Sequence, residues 1–217
     1  GGGGGIGGDA SGPNFQFRGI PGRTSATGEG GEVSVNVNGT IATAGVRAHG
    51  LVAQSISGGG GIEGGPDGVS YGSQAGDAPT AAASGSVSIS VAGLIHAAGE
   101  NAIGILAQTD GAQNLGTIQI DVDGTVLGGV DTNAAGIMVI DGKNPVVTIE
   151  PTGTVGLSGS KDGYALRYLA SRTRQEGAVF TGYVYGLLDG DIYFENATGT
   201  GGDAGALYVQ QDGSWTG

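Results

Sequence analysis

Apolar and polar residues alternate along the run from Ile118 to Gly124. Ile118, Ile120 and Val122 fall on one face, and Gln119, Asp121 and Asp123 on the other. That period of two predicts a strand with one buried and one polar side. Gly124 closes it, and Val126 is apolar again two residues on. The same pattern recurs as Val33, Val35, Val37, Gly39, Ile41, as Val87, Ile89, Val91, Gly93, Ile95, and as Val147, Ile149, Pro151, Gly153, Val155. A second apolar element trails each copy. Gly50 stands as far beyond Gly39 as Gly104 stands beyond Gly93. Gly136 and Ala165 stand one residue further along from Gly124 and Gly153. Leu51, Ile105, Ile137 and Leu166 follow these positions, then Ala53, Ala107, Val139 and Tyr168.

This is an internal repeat. The steps from Gly93 to Gly124 and from Gly124 to Gly153 are nearly equal. The step from Gly39 to Gly93 is a little under twice as long, one unit plus an insertion placed at 57–80. A short unit of strands cannot bury its apolar side alone, whereas stacked copies can. The expected fold is therefore all-β, a single-stranded parallel β-helix, with glycine at the corners. A sandwich of hairpins is the alternative. In the solenoid, Val37–Val91–Val122 and Ile41–Ile95–Val126 form interior rows spaced about 4.8 Å per coil. Residues 1–30 read as a glycine-rich lead, with Phe15, Phe17 and Ile20 as a first strand or an end cover. Residues 31–177 read as coils. Residues 178–217 read as an irregular aromatic coil or the start of a C-terminal module.

Composition refines this picture in three places. Fifty of the 217 residues are glycine. They lack a three-residue period, which excludes collagen, and are assigned to corners that turn sharply or take positive φ. Cysteine is absent, so no disulfide holds the fold. The formal charge of −12 repels nucleic acid and anionic lipid. No stretch of 18 apolar residues occurs, so no helix is expected to span a membrane. Without a Met start or a signal peptide, the chain reads as a fragment or a processed product. Asn101, Asn114, Asn133 and Asn144, with Asp141-Gly142 and Asp162-Gly163, are read as turn residues.

Candidate chemistry is sparse. Asp121 and Glu150 are the candidate catalytic carboxylates: aligning the corner glycines puts Glu150 over Asp121, and Thr152 over Asp123. Carboxylates about 5 to 9 Å apart are what glycoside hydrolysis requires. Asp189 and Asp191 are the candidate calcium ligands, short of the six to eight oxygens calcium takes. His49 and His96 lack zinc spacing and read as structural. Six of the seven tyrosines and the one tryptophan lie beyond residue 163. Tyr183, Tyr185 and Trp215 are the candidate sugar platforms, and broad-core packing is the other role for these rings. Arg167, Arg172 and Arg174 form a small basic group in the same region.

The segment Ala48-His-Gly-Leu-Val-Ala-Gln-Ser-Ile-Ser-Gly-Gly-Gly-Gly61 resembles the repeat of large autotransporter passengers of Gram-negative proteobacteria. Ala102-Ile-Gly-Ile-Leu-Ala-Gln108 resembles a shortened copy, and Val33-Ser-Val-Asn-Val-Asn-Gly39 is similar to the strands that precede it. The resemblance implies a right-handed, pertactin-like β-helix, exported and then displayed or released at the cell surface. It also implies a parent chain with an outer-membrane β-barrel. The expected role is a non-enzymatic scaffold for adhesion or self-association, with a host-surface protein or glycan, or another copy, as partner. The alternative is a polysaccharide-active lyase or glycoside hydrolase, or a glycan-binding module. No catalytic residue of the family transfers to this sequence.

Overall fold

The alternating segments form parallel strands, each hydrogen-bonded to its equivalent one coil away. A computed structural model of the chain describes residues 29–57, 83–111, 115–159, 162–170, 179–195 and 205–217, with the backbone of five further short strands. Three parallel sheets make a right-handed parallel β-helix. Sheet one runs Val33–Val37, Val87–Val91, Ile118–Val122, Val146–Ile149, Phe180–Val184, Gly205–Val209. Sheet two runs Thr40–Thr43, Leu94–Ala97, Thr125–Gly128, Thr154–Leu157, Leu187–Asp189, Ser214–Thr216. Sheet three runs Leu51–Ile56, Ile103–Asp110, Ala135–Asp141, Tyr164–Leu169, Asp191–Glu195. By contact the chain divides into two compact units: Gly1–Val33, Gln54–Val87 and Gln108–Gly116, and Ser34–Ala53, Ser88–Ala107 and Thr117–Gly217.

The second unit carries the stacked core. Ile41, Ile95, Val126, Val155, Leu188 and Trp215 occupy one register row through six successive coils. The four middle members are fully buried. Ile89, Val91, Ile118, Ile120 and Val122 are buried as the alternation predicts, while Val35 is half-buried. Leu106, Met138 and Ile140 were not expected inside, yet they too are buried, so sheet three is covered on both faces in the second and third coils.

Backbone stacking explains the glycines better than positive φ does. Among the described glycines only Gly142 (φ 94°) and Gly190 (φ 127°) are left-handed. At the corner between sheets one and two, Gly39, Gly93, Gly124, Gly153, Gly186 and Gly213 form a column. A Cβ on any of the last five would press into a backbone carbonyl of the preceding coil. Glycine is there for close approach of chain to chain. The left-handed turns fall instead on Arg47, Asn101, Asp131, Asp141 and Asn144. Three of these, Asn101, Asp141 and Asn144, are turn residues the sequence predicts; Asn114 lies outside the described residues.

The glycine column also shows why counting between glycines misplaces one strand. In sheet one Ile120 pairs with Val147 and Val122 with Ile149. In sheet two Thr125 pairs with Thr154, a step along the chain two residues longer. The difference lies in the turn Glu150–Gly153, which is two residues longer than its counterpart Asp123–Gly124. Gly153 N–H bonds inside it to Glu150 O at 2.8 Å. Asp121 therefore pairs with Thr148, not with Glu150.

Beyond residue 178 the same three sheets continue. Phe180–Val184, Leu187–Asp189 and Asp191–Glu195 make a fifth coil, and Gly205–Val209 with Ser214–Thr216 begin a sixth. The fifth coil thus starts at Phe180, and Leu207 and Val209 belong to the sixth. The interior changes character here. Tyr168, Phe180 and Phe194 pack together, with ring centroids 5.4 and 5.1 Å apart. Gly182 takes the interior place that Ile120 and Val147 hold in earlier coils. A Cβ at Gly182 would lie 2.5 Å from Leu207 Cδ1 and 3.3 Å from Phe180 Cε1. One enlarged side chain is offset by one deleted side chain, which keeps the layer filled.

The first unit holds polar groups in buried places. Ser55 Oγ donates to Gly31 O (2.7 Å) and accepts Gly85 N–H (2.8 Å). Ser84 Oγ accepts Gly116 N–H at 2.9 Å, and Gln54 Nε2 donates to Gln108 Oε1 at 2.8 Å. Each hydroxyl supplies a partner to a backbone group of a neighbouring segment, so the buried hydroxyl is itself satisfied. Within the insertion at 57–80, Gly61–Gly65 and Gly68–Tyr71 pair antiparallel, and Gly61–Gly65 pairs parallel with Gly5–Gly7. Phe15–Phe17 pairs antiparallel with Ala10–Gly12. Ile20 and the side chains of Phe15, Phe17 and Tyr71 lie outside the described residues.

Candidate binding surface

Outward positions of a solenoid form rows because equivalent residues repeat one coil apart. On sheet one, Asp121, Thr148, Tyr183 and Tyr208 make one such row. It passes from polar to aromatic as the coils advance. Tyr183 and Tyr208 stack, with centroids 5.6 Å apart and ring planes 20° apart. Tyr208 is half exposed, and Tyr185 is exposed in the turn that follows Val184. Trp215 has a different setting. It belongs to the interior row of sheet two, donates from Nε1 to Gly190 O at 3.0 Å, and is 50% exposed because it stands in the last strand of its sheet. Of the three predicted platforms, Tyr183 and Tyr185 share one side of the molecule, and Trp215 stands on another sheet.

The carboxylates spread in the same way. Asp121 accepts a hydrogen bond from Gln119 Nε2 at 3.0 Å on its own strand. Glu150 lies in the long turn after Ile149, outside the row of Asp121. Asp123 accepts from the Thr152 hydroxyl, the pairing that the sequence alignment predicts. Asp189 accepts from Thr216 Oγ1 at 2.7 Å on sheet two. Asp191 stands on sheet three opposite Tyr164, because Gly190 turns the chain through a corner between the two aspartates. No group of three or more His, Cys, Asp or Glu among the described residues is placed to hold a metal ion.

His49 has a structural task. Its Nδ1 accepts the N–H of Ile103, one coil further on, at 3.0 Å. The imidazole must be unprotonated at Nδ1 to do so, and burial lowers its pKa from the ordinary 6.5. His96 sits on sheet two between Ala42 and Leu127, so the two histidines are not stacked.

A second aromatic group went unread in the sequence. On sheet three the outward row Met138, Arg167, Tyr193 runs beside Tyr164. The Arg167 guanidinium carbon lies 5.5 Å from the Tyr164 ring centre and 5.4 Å from that of Tyr193, and the two rings are 5.3 Å apart. Tyr164 and Tyr193 stand on successive strands of the sheet, a full coil apart in the sequence, and the register shifts between Tyr164 and Leu166. Only the coil-to-coil pairing brings them together. Arg172 and Arg174 lie outside the described residues. No family model, no curated protein and no solved structure matches the chain.

Proposed function

We propose that this chain is a passenger-type β-helical scaffold, displayed at or released from the surface of a Gram-negative bacterium, that serves adhesion or self-association without catalysis. The observation that carries the reading is the outward row Asp121, Thr148, Tyr183, Tyr208, a continuous strip offered by four successive coils. Such a strip suits many weak contacts spread along a polymer or a second protein. The stacked, partly exposed tyrosines at its aromatic end favour a glycan face or another apolar surface. The repeat at Ala48–Gly61, similar to autotransporter passengers, supports the surface location. A parent chain bearing an outer-membrane β-barrel belongs to the same proposal. Among the described residues no helix is long and apolar enough to cross a membrane.

Polysaccharide cleavage by Asp121 and Glu150 draws less support, because the two carboxylates do not share a row. A glycan array paired with a reducing-end assay separates the readings. Binding without release of reducing ends is expected for the scaffold. Release of reducing ends that disappears in Asp121→Asn or Glu150→Gln would contradict it. Sedimentation across a concentration series tests the self-association arm. A monomer at every concentration, together with an empty array, would overturn the proposal.

A further inference from the structure

We infer that Arg167, with Tyr164 and Tyr193, forms a binding site for the carboxylate of an acidic sugar, such as a uronic acid unit in a polysaccharide. This rests on the adhesive reading above and names its ligand class, at a different place from the Tyr183–Tyr208 row. Three observations on sheet three lead there.

The first is a cation whose side-chain partners among the described residues are aromatic rings. The chain carries 20 acidic and eight basic residues, so an arginine on its surface has carboxylates in abundance. Arg167 nevertheless makes no ion pair and no hydrogen bond among the described residues; its contacts there are the two tyrosine rings. Its Nε is buried and without a hydrogen-bond partner. A guanidinium has five N–H donors in a fixed plane that matches a carboxylate. Here they are held in place by two rings, so little side-chain freedom is left to lose on binding.

The second is an apolar platform beside the cation. Tyr193 is 37% exposed, and its ring stands beside the guanidinium. A pyranose presents a C–H face that packs on such a ring, while its C6 carboxylate lies at its edge.

The third is a pair of acceptors around the platform. Asp191 and Glu195 flank Tyr193 on the exposed side of the same strand. Carboxylates accept hydrogen bonds from sugar hydroxyls, which a simple inorganic anion lacks. The combination selects a molecule with one carboxylate and several hydroxyls over phosphate or sulfate.

The test uses the whole chain with polygalacturonate, alginate and hyaluronan, each beside its methyl-esterified form of the same backbone. Affinity is read by calorimetry. At least one acid polymer is expected to bind, with its ester binding at least about tenfold more weakly, since hydrogen bonds to charged groups are worth about 1.5–3 kcal/mol. Arg167→Gln is expected to reduce binding by a similar factor, and Arg167→Lys by less, because an ammonium keeps the charge but not the planar fork. Ser88→Ala, on the exposed face of Val87–Val91 and outside both surfaces, is expected to leave the acid polymer's affinity unchanged. Circular dichroism of the Arg167 variants must match that of the parent; Tyr193→Ala serves as a second variant where it does not. Equal binding of acid and ester, or unchanged binding in Arg167→Gln, overturns the site. So does absence of binding to all three acids. If neutral glycans still bind through Tyr183 and Tyr208, the adhesive reading survives that failure. An empty glycan array with no self-association sinks both.

Discussion

The third coil and the fifth coil solve the same packing problem with different residues. In the third, Ile118, Ile120 and Val122 fill the interior of sheet one, one branched aliphatic after another. In the fifth, Phe180 fills more space, Gly182 fills none, and Val184 resumes the row. The corner between sheets one and two is glycine in both, at Gly124 and Gly186. The interior thus tolerates redistribution of volume within a layer, while the corner tolerates no side chain. Side chains can shift by a rotamer, but a stacked backbone carbonyl is held by its own hydrogen bonds.

The largest expected effect contrasts the two faces of the third coil. Ile120→Asp buries a charge without a partner and is expected to cost about 4 kcal/mol or more. Asp121→Ser lies one residue away on the outward face and is expected to change stability by no more than about 0.5 kcal/mol. Thermal melts of the two variants decide this. Similar losses would reverse the assignment of faces.

A smaller difference is expected between the two kinds of glycine. Gly124→Ala drives a methyl into the Gly93 carbonyl and is expected to cost about 3 kcal/mol. Gly182→Ala meets the end of the Leu207 side chain, which can move aside, and is expected to cost about 1 kcal/mol. Urea midpoints at constant slope measure both. If Gly182→Ala were the costlier, the fifth-coil interior would be as rigid as the corner.

The smallest effect concerns His49. Its pKa is lowered in the folded chain, so the unfolded chain binds the proton first as pH falls. Stability is then complete above about pH 6.5 and declines below it, levelling off once the folded histidine is also protonated. The loss follows from protonation of Nδ1, which accepts the Ile103 N–H. His49→Gln is expected to flatten the melting temperature between pH 7 and 5, because a glutamine oxygen accepts at any of these pH values (about pH 5 being well below the ordinary histidine range). An unchanged pH profile in that variant would assign the effect elsewhere.

Different residues were legible to different degrees. The row Ile41–Ile95–Val126 could be read from the sequence, because equal spacing and a strict period of two leave one register that hides every apolar residue. The pairing of Asp121 could not. Counting from glycine to glycine counts the turn as well as the strand, and the turn at Glu150–Gly153 is longer. The fifth coil was obscured for a related reason. Gly182 occupies a place where the pattern calls for an aliphatic residue, and the side chains of Leu207 one coil on and Phe180 in the same layer take up that space. Arg167 and the tyrosine-rich region stood out in the sequence, but the meeting of Arg167 with Tyr164 and Tyr193 did not, since the rings meet across coils and past a shift in register. Short-range periodicity predicts rows of like residues; it does not predict which unlike residues become neighbours.

The central claim is that coils stack in one register straight through the aromatic segment. The chain lacks cysteine, so introduced pairs can be read without background. Neighbouring strands lie about 4.8 Å apart, within the Cα range that a disulfide spans. Thr148 and Tyr183 are register partners across the fourth and fifth coils. The double variant Thr148→Cys with Tyr183→Cys is expected to form an intramolecular disulfide under mild oxidation, read as a mass loss of two hydrogens in a monomer. The control, Glu150→Cys with Tyr183→Cys, is offset by two residues and is expected to stay reduced. Rapid closure of the control in place of the predicted pair would contradict the register, and with it the continuity of the solenoid.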